Sequence, residues 1–175
     1  LQEGGVPTHF VDRQSDREML TRRVTIIPLE VVVRNIVAGS LAKRLGLKER
    51  ETIIPPLAEF YYKNDALGDP LINEDHIRLL KLAEPSVVAD IKQRALRINT
   101  LLVPFFRDRG MVLVDFKLEF GFDSEGKLIL ADEISPDTCR LWDQQTGESM
   151  DKDRFRKDLG KIEEAYQEVL KRVCG

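Results

Sequence analysis

The chain has 175 residues, of which 42% are hydrophobic and 33% charged, and its formal net charge at pH 7 is −3; this is ordinary for one globular domain, or for one domain and part of another. The mildly acidic balance gives nucleic-acid binding no electrostatic support, and no apolar run approaches the roughly 20 residues of a membrane span. Two cysteines are too few for a disulfide framework and favour a cytoplasmic location, and two histidines far apart in sequence argue against a Cys/His zinc site.

The first part of the chain predicts two strands and a short helix. Residues 6–11 fit a short strand, and the apolar, β-branched residues 24–34 fit a buried strand that bends at Pro28. Ser40 occupies an N-cap position before a helix over residues 41–45, which a glycine closes.

The next segments predict a strand, a loop and a long helix. Residues 52–63 fit a strand, and residues 64–73 carry the Asp, Asn, Gly and Pro residues that are typical of a loop. Over residues 85–109 the apolar residues recur at steps of three and four, which is the period of an amphipathic helix. Pro104 lies inside this pattern and predicts a kink or a break.

Apolar and charged residues alternate from Val114 to Phe120, in the middle of the chain. This period of two predicts a strand with its apolar side chains in the core and with Asp115, Lys117 and Glu119 together on the opposite face. A row of acid, base and acid is suited to holding a nucleotide and a metal ion. The alternative is the solvated outer face of an edge strand, which is the commoner arrangement.

A second strand over residues 128–131 follows a tight turn at residues 124–127, so we expect a hairpin. The strand leads into an acidic stretch that begins at Asp132. Carboxylates from two neighbouring strands, with a lysine between them, suggest a site for Mg²⁺ and polyphosphate, because hard cations take oxygen ligands. Residues 121–127 nearly match a phosphate-binding P-loop, but we reject the match because Leu128 replaces Ser or Thr and a strand follows in place of a helix.

The C-terminal part of the chain predicts a second long helix, over residues 152–173. Its apolar residues form one stripe, and Asp151 is in position to cap it. We interpret both long helices as core scaffolding with solvated charged faces.

Arg34 and Ser40 form a candidate phosphate site. An arginine offers a bidentate fork, and a serine at a helix start offers a hydroxyl beside free backbone N–H groups. The alternative is an ordinary N-cap that happens to follow an arginine.

Several stretches of the chain resemble the sequence motifs of the SAICAR synthetase family. Residues 26–40, Ile-Ile-Pro-Leu-Glu-Val-Val-Val-Arg-Asn-Ile-Val-Ala-Gly-Ser, resemble its first signature, and residues 113–121 resemble its second. Other stretches resemble family motifs in the same order: residues 63–66, 69–70, 132–137, 140–143 and 150–155. The likeness spans essentially the whole chain.

The resemblance implies an α+β fold, with an antiparallel-rich sheet flanked by helices, of the kinase-like ATP-binding type. The chain would be the larger C-terminal part of that fold. Residues 1–24 would be the end of the N-terminal lobe and the approach to the hinge, and residues 25–175 the central and C-terminal domain. The family begins with a smaller β-rich lobe that covers the ATP phosphates, and nothing in this sequence matches that lobe.

The implied activity is the ATP-dependent ligation of L-aspartate to the carboxylate of CAIR, a phosphoribosyl aminoimidazole, through an acyl phosphate in de novo purine biosynthesis. ATP and Mg²⁺ are the implied cofactors, and CAIR and L-aspartate are the implied substrates. We expect a homo-oligomer and neither a nucleic-acid nor a membrane partner.

The resemblance also implies roles for individual residues. The expected catalytic residues are Asp115, Lys117 and Asp132, and Asp132 is also the expected metal ligand. The expected nucleotide-binding residues are Glu119, Lys117, Ile26 and Glu30. The residues expected to hold the CAIR phosphate are Arg34, Ser40 and Arg140. Those expected to line the substrate cleft are Lys63, Asp65, Asp69, Ser135 and Asp137.

Two other functions stay open at the level of sequence. An inositol-phosphate-type kinase also carries an Asp-x-Lys strand beside a later metal-binding aspartate, although residues 34–40 and 135–137 argue against it. A non-catalytic binding module is the other alternative if the ATP lobe is truly absent. Turnover of ATP with CAIR and aspartate, or with an inositol phosphate, distinguishes the enzymes.

Overall fold

The computed structural model describes residues 1–156 and 158–175 and has the predicted α+β architecture. The strands are β1 (Phe10–Arg13), β2 (Met19–Thr21), β3 (Thr25–Ile36), β4 (Thr52–Tyr62), β5 (Leu71–Ile72), β6 (Met111–Phe122), β7 (Leu128–Leu130) and β8 (Cys139–Asp143). The helices are α1 (Gly39–Leu45), α2 (Glu74–Leu79), α3 (Pro85–Arg107), α4 (Asp153–Arg156) and α5 (Ile162–Cys174), and Asp65–Leu67 forms a short 3₁₀ turn. None of the described helices combines the length and apolar character needed to cross a membrane.

The main sheet has the strand order β5-β4-β3-β6-β7, with β8 also paired to β6, and β1 and β2 form a separate ribbon. β7 runs antiparallel to the end of β6, with Phe120 opposite Leu130, which confirms the predicted hairpin. β8 runs antiparallel to the start of β6. Because β6 has partners on both sides, its charged residues do not lie on a solvated edge: Asp115 is 6% exposed and Glu119 is 8% exposed.

The described residues form two compact units. Unit 1 comprises Leu1–Val32, Ala58–Ile98 and Leu118–Glu133, and unit 2 comprises Val33–Leu57, Asn99–Lys117 and Ile134–Gly175. Each unit buries large apolar side chains, among them Leu29, Ile91, Phe120 and Ile129 in unit 1 and Leu41, Met111, Phe116 and Leu141 in unit 2. The lobe boundary predicted between residues 24 and 25 stays a prediction.

The long elements form because their apolar residues have the right period. In β3, Ile27, Leu29, Val31 and Val33 are buried at steps of two, as expected for a strand face in the core. In α3, the residues at steps of three and four are buried: Val88, Ile91, Ala95 and Ile98. Burying a side chain of the size of Val or Ile contributes about 1.5–3 kcal/mol, so these faces dominate the stability of both elements.

Three predicted elements differ in the structure. A break at Pro104 is wrong, because α3 continues to Arg107 with apolar side chains buried on both sides of the proline. The single C-terminal helix is also wrong. It is divided into α4 and α5, with left-handed backbone at Asp158, Gly160 and Lys161. The first strand lies at Phe10–Arg13 rather than at residues 6–11.

Four elements were not predicted at all: the strand β2, the two-residue strand β5 within the segment predicted as a loop, and the two elements α2 and β8. α2 is only six residues long and begins at a capping box, in which the side chains of Asn73 and His76 each accept from the other residue's backbone N–H. β8 has five residues and follows a segment of turns. Both are too short to show a period, so their sequences alone did not distinguish them from loops.

Candidate functional site

Two buried arginines converge on one carboxylate in unit 2. Arg34 Nη1 donates to Asp115 Oδ2 at 2.7 Å, and Arg140 Nη1 donates to the same oxygen at 2.5 Å. The side chains of Arg34, Asp115 and Arg140 are only 5%, 8% and 12% exposed. Charges this far from water persist only when they are paired. The three side chains therefore form a cluster of mutually paired charges, in which two guanidinium groups share one carboxylate oxygen.

A β-bulge places Asp115 and Arg140 on the same side of the sheet. The register advances from Leu113 opposite Leu141 to Asp115 opposite Arg140, so Val114 is an extra residue on β6. A bulge of this kind re-aims the side chains that follow it. Directly opposite residues of an antiparallel pair share a face, and Asp115 therefore meets Arg140 across the strands.

Ser40 joins this cluster, but it is not the N-cap of the helix. α1 begins at Gly39, and its N-cap is Ala38, which makes no side-chain cap hydrogen bond. Ser40 therefore lies in the first turn, where its hydroxyl accepts from Arg34 Nη2 at 3.4 Å. The expected convergence of Arg34, Ser40 and Arg140 is thus observed, and their role toward phosphate stays a prediction.

Asp115 and Arg140 influence each other's protonation. Burial raises the pKa of Asp115 above its ordinary value, against the opposing charges of Arg140 and Arg34. Burial lowers the pKa of Arg140, but the neighbouring carboxylates of Asp115 and Asp153 raise it overall. The arginine therefore stays charged, and the cluster keeps its capacity to bind an anion.

The sequence predicts no role for Asp153, although the carboxylate of this residue holds Arg140. Arg140 Nε donates to Asp153 Oδ2 at 2.8 Å, and Arg140 Nη2 donates to Asp153 Oδ1 at 3.2 Å. Asp151, predicted as a helix cap, accepts from the backbone N–H of Asp153 at 2.8 Å. The sequence shows an Asp-x-Asp pattern at the start of the predicted helix. The first aspartate was interpreted as a helix cap, but nothing in the pattern indicates that the second pairs with an arginine.

In unit 1, two of the expected site residues form an ion pair. Lys63 Nζ lies 2.8 Å from Glu119 Oε1, with the lysine 41% and the glutamate 11% exposed. Lys63 follows β4, and Glu119 lies on β6. The lysine is partly open to solvent and the glutamate is nearly buried, so Lys63 offsets the charge of a carboxylate that has little contact with water.

Three more of the expected residues accept hydrogen bonds from neighbouring groups. Asp69 Oδ1 accepts from the backbone N–H of Asn64 at 2.7 Å, and Asp132 Oδ1 accepts from that of Glu133 at 3.1 Å. Asp137 accepts from the hydroxyl of Tyr166 on α5 at 3.0 Å, a contact that no local pattern could predict. The other expected residues lie as follows: Ile26 and Glu30 on β3, Asp65 in the 3₁₀ turn, Lys117 on β6 and Ser135 in the loop before β8.

The described residues contain no group of three or more Asp, Glu, His or Cys side chains placed to hold a metal ion. A magnesium ion at Asp132 would therefore take most of its oxygen ligands from substrate phosphates or water. Mg²⁺ is commonly bound in this way, through one or two carboxylates, substrate phosphates and water. The partly buried carboxylate of Asp132 fits such a site.

The near match to a P-loop is a hairpin turn. The carboxylate of Asp123 accepts from the backbone N–H groups of Glu125 and Lys127 at 3.0 and 2.9 Å. These are N–H groups that a phosphate loop would leave for its ligand. The rejection of the P-loop match therefore agrees with the structure.

Replacing Lys127 by alanine is expected to leave the affinity for ATP within about threefold of the unchanged protein. Lys127 is exposed, and changes at exposed positions usually have small effects. Titration calorimetry with ATP measures this directly, with Lys117→Ala, which removes an expected nucleotide contact, as a comparison variant that should lose more. A tenfold loss in Lys127→Ala would mean that the turn does contact the nucleotide.

The free energy of unfolding is expected to fall between about pH 4 and pH 6 because of Asp151. This carboxylate is 2% exposed, and burial raises its pKa to about 6 despite hydrogen bonds from two backbone N–H groups. The folded state therefore favours the neutral form of Asp151. The stability that this carboxyl group contributes is fully present below its pKa in the unfolded chain and is lost as the pH rises through its pKa in the folded protein. A shift of this size corresponds to about 3 kcal/mol at most.

Urea unfolding at pH values from 4 to 7 tests this expectation. Asp151→Asn should lower stability at every pH, because its amide cannot accept both N–H groups, but it should flatten the pH dependence. Equal slopes in the variant and the unchanged protein would contradict the assignment to Asp151.

Comparison with known proteins gives one consistent result. Residues 1–173 match the model of the family described as SAICAR synthetase. The chain is 58% identical, over all 175 residues, to the phosphoribosylaminoimidazole-succinocarboxamide synthase of Bacillus mycoides, and the match covers 73% of that protein.

Solved structures agree with this result. A SAICAR synthetase (type-2) in complex with ADP has a TM-score of 0.96 at 47% identity, with 99% of this chain and 74% of that chain covered. The phosphoribosylaminoimidazole-succinocarboxamide synthase from Ehrlichia chaffeensis has a TM-score of 0.95 at 45% identity, with 98% and 74% covered. These likenesses confirm the fold class that the sequence predicted.

Proposed function

Because this chain belongs to the SAICAR synthetase family, we propose that it ligates L-aspartate to the carboxylate of CAIR with ATP, giving SAICAR, ADP and phosphate in de novo purine biosynthesis. The observation that supports this most strongly is the family match over residues 1–173. The ADP in a solved relative that is 47% identical supports the use of ATP. Nothing in these matches favours the kinase alternative.

The reaction needs activation because a carboxylate is a poor electrophile. A carboxylate oxygen of CAIR attacks the γ-phosphorus of ATP, and ADP leaves. The amine of aspartate then attacks the carbonyl carbon of the acyl phosphate, loses a proton, and inorganic phosphate leaves. No covalent protein nucleophile is required. The chain must instead orient the reactants and offset the charge of the transferring phosphoryl group.

We assign the CAIR phosphate to the cluster in unit 2. Arg34 and Arg140 supply two guanidinium groups, and Ser40 supplies an exposed hydroxyl. The guanidinium of Arg140 has five N–H groups, of which three donate to Asp115 and Asp153; the second N–H on each Nη is the proposed donor to phosphate. A phosphate dianion could accept from these N–H groups while Asp115 keeps both arginines in place.

We assign the nucleotide and its metal ion to other residues. Lys117, Glu119, Ile26 and Glu30 are the proposed contacts of ATP, and Asp132 would hold Mg²⁺ together with phosphate oxygens. When bound, the ion neutralises charge on the phosphates. Asp65, Asp69, Ser135, Asp137 and Lys63 remain proposed residues of the substrate cleft.

Assembly and location remain proposals too. We expect a homo-oligomer, which sedimentation velocity of the purified protein measures. A cytoplasmic location agrees with the low cysteine content and with small-molecule substrates.

The test of the function is the formation of SAICAR by the purified protein. We expect one ADP per SAICAR when ATP, CAIR, L-aspartate and Mg²⁺ are all present, and no SAICAR when any one of them is omitted. Transfer of phosphate to an inositol phosphate, without SAICAR formation, would contradict the proposal and support the kinase alternative.

A further inference from the structure

We propose that Asp153 is a positioning residue for Arg140. Its carboxylate fixes the orientation of the guanidinium and so determines which edge of that group faces the substrate phosphate. The proposal rests on the proposed function, in which Arg140 holds that phosphate. Asp153 itself need not touch the substrate, so its effect should pass through Arg140 alone.

The first observation is the geometry of the ion pair. The carboxylate of Asp153 takes the Nε and Nη2 edge of Arg140 with two hydrogen bonds of 2.8 and 3.2 Å. The Asp153 side chain is 4% exposed. A two-point contact fixes the plane of a guanidinium as well as its position. Arg140 Nη1 is then directed to Asp115.

The second observation is that Asp153 is itself held in place. Its backbone N–H donates to Asp151 Oδ1 at 2.8 Å, and Asp151 Oδ2 accepts from the backbone N–H of Leu141 at 2.8 Å. Leu141 is the neighbour of Arg140 on β8. One buried carboxylate therefore ties together the backbone segments that carry Arg140 and Asp153. Arg156 Nη1 also donates to Asp153 Oδ1, at 3.1 Å.

The third observation concerns Gly39, which precedes Ser40. A Cβ at Gly39 would lie 2.7 Å from Arg140 Nη2 and 3.2 Å from its Cζ. The guanidinium therefore lies directly against the backbone of this glycine, whose φ of +57° also disfavours a side chain. The guanidinium of Arg140 thus lies between the backbone of Gly39 and the carboxylate of Asp153, which leaves its side chain little freedom to change rotamer.

This confinement matters because a mobile arginine loses rotamer freedom when it binds an anion. An arginine that is already fixed loses less, so its hydrogen bonds to phosphate contribute more to affinity. The pairing with Asp153 also keeps the guanidinium of Arg140 from rotating so that more of its N–H groups donate to Asp115. Asp153 is thus expected to affect affinity for CAIR and not for ATP.

The test uses Asp153→Asn, which keeps the shape of the side chain but removes its charge and one acceptor. We expect the Kd for CAIR, measured by titration calorimetry, and the KM for CAIR to rise about tenfold. The KM for ATP should stay within twofold. Glu168→Gln is the matched control, because it removes another arginine–carboxylate pair of unit 2, with Arg172 at 2.8 Å, and should change neither constant.

A double-mutant cycle shows whether Asp153 acts through Arg140. In an Arg140→Ala background, Asp153→Asn should change the Kd for CAIR by less than twofold. A tenfold change in both backgrounds would overturn the proposal. A loss of affinity in Arg140→Ala, with none in Asp153→Asn, would overturn positioning but keep the phosphate role. Unchanged affinity in Arg140→Ala would overturn both.

A second variant covers the case in which Asp153→Asn does not fold. Gly39→Ala leaves Asp153 intact but displaces the guanidinium of Arg140. We expect the same selective loss for CAIR, again absent in the Arg140→Ala background. Wild-type affinity for CAIR in folded Gly39→Ala would contradict the confinement on which the proposal depends.

Discussion

Replacement of Asp132 by asparagine is expected to lower turnover by about a thousandfold while leaving the fold intact. Asp132 lies just after β7 and is partly buried. Asparagine retains an oxygen that can accept from the backbone N–H of Glu133, as Asp132 Oδ1 does at 3.1 Å. What it loses is the negative charge. Losing a carboxylate that holds a catalytic metal ion costs several kcal/mol of transition-state stabilisation, which corresponds to a loss of roughly this size.

The measurement is the rate of SAICAR formation over a range of Mg²⁺ concentrations, with thermal unfolding as the check on folding. Glu125→Gln is the matched control, because it removes an exposed carboxylate from the turn at the other end of β7 and should keep full activity. Normal turnover of Asp132→Asn at saturating Mg²⁺ would remove Asp132 from the proposed site.

Replacement of Arg34 by lysine is expected to raise the Michaelis constant for CAIR and to leave that for ATP nearly unchanged. Arg34 uses two different nitrogens, Nη1 toward Asp115 at 2.7 Å and Nη2 toward Ser40 at 3.4 Å. Lysine keeps the charge but has no fork, so it cannot hold Asp115 and the phosphate in the same way. A charged hydrogen bond contributes about 1.5–3 kcal/mol, which predicts a rise of roughly 10- to 150-fold.

A purely structural role for Arg34 predicts a different result. Its side chain is buried, so lysine should lower the melting temperature whether or not phosphate binds there. Only the phosphate role predicts a selective change in the constant for CAIR. Arg50→Lys is the control: Arg50 is exposed, stacks 4.6 Å over the ring of Trp142 and donates to Gly147 O, and should change neither constant. An unchanged constant for CAIR in folded Arg34→Lys would contradict our assignment.

The sequence by itself determined the long elements, the hairpin and the family. The period of two in β3 and β6 and the stripe of α3 reflect burial, which acts on each element separately. The tight turn at residues 124–127, the strand pattern that follows it and the missing Ser or Thr at residue 128 were enough to predict a hairpin where a P-loop pattern nearly matched. The motifs that resemble the SAICAR synthetase family cover the stretches that carry Arg34, Asp115, Asp132 and Arg140.

The tertiary structure decided how those residues are held. Strand alternation placed Asp115 on a charged face, but only pairing with β8 and the bulge at Val114 set it opposite Arg140. Ser40 was predicted as the N-cap of a helix. Because α1 begins at Gly39, the hydroxyl of Ser40 does not cap the helix and instead accepts a hydrogen bond from Arg34. The ion pair of Asp153 with Arg140 joins two residues that are 13 apart in sequence. Arg140 lies on β8 and Asp153 begins α4, and both elements are too short to predict from a sequence period. Local periodicity reports which face of an element is buried, whereas contacts between charged groups depend on how several elements pack, so only the folded chain shows them.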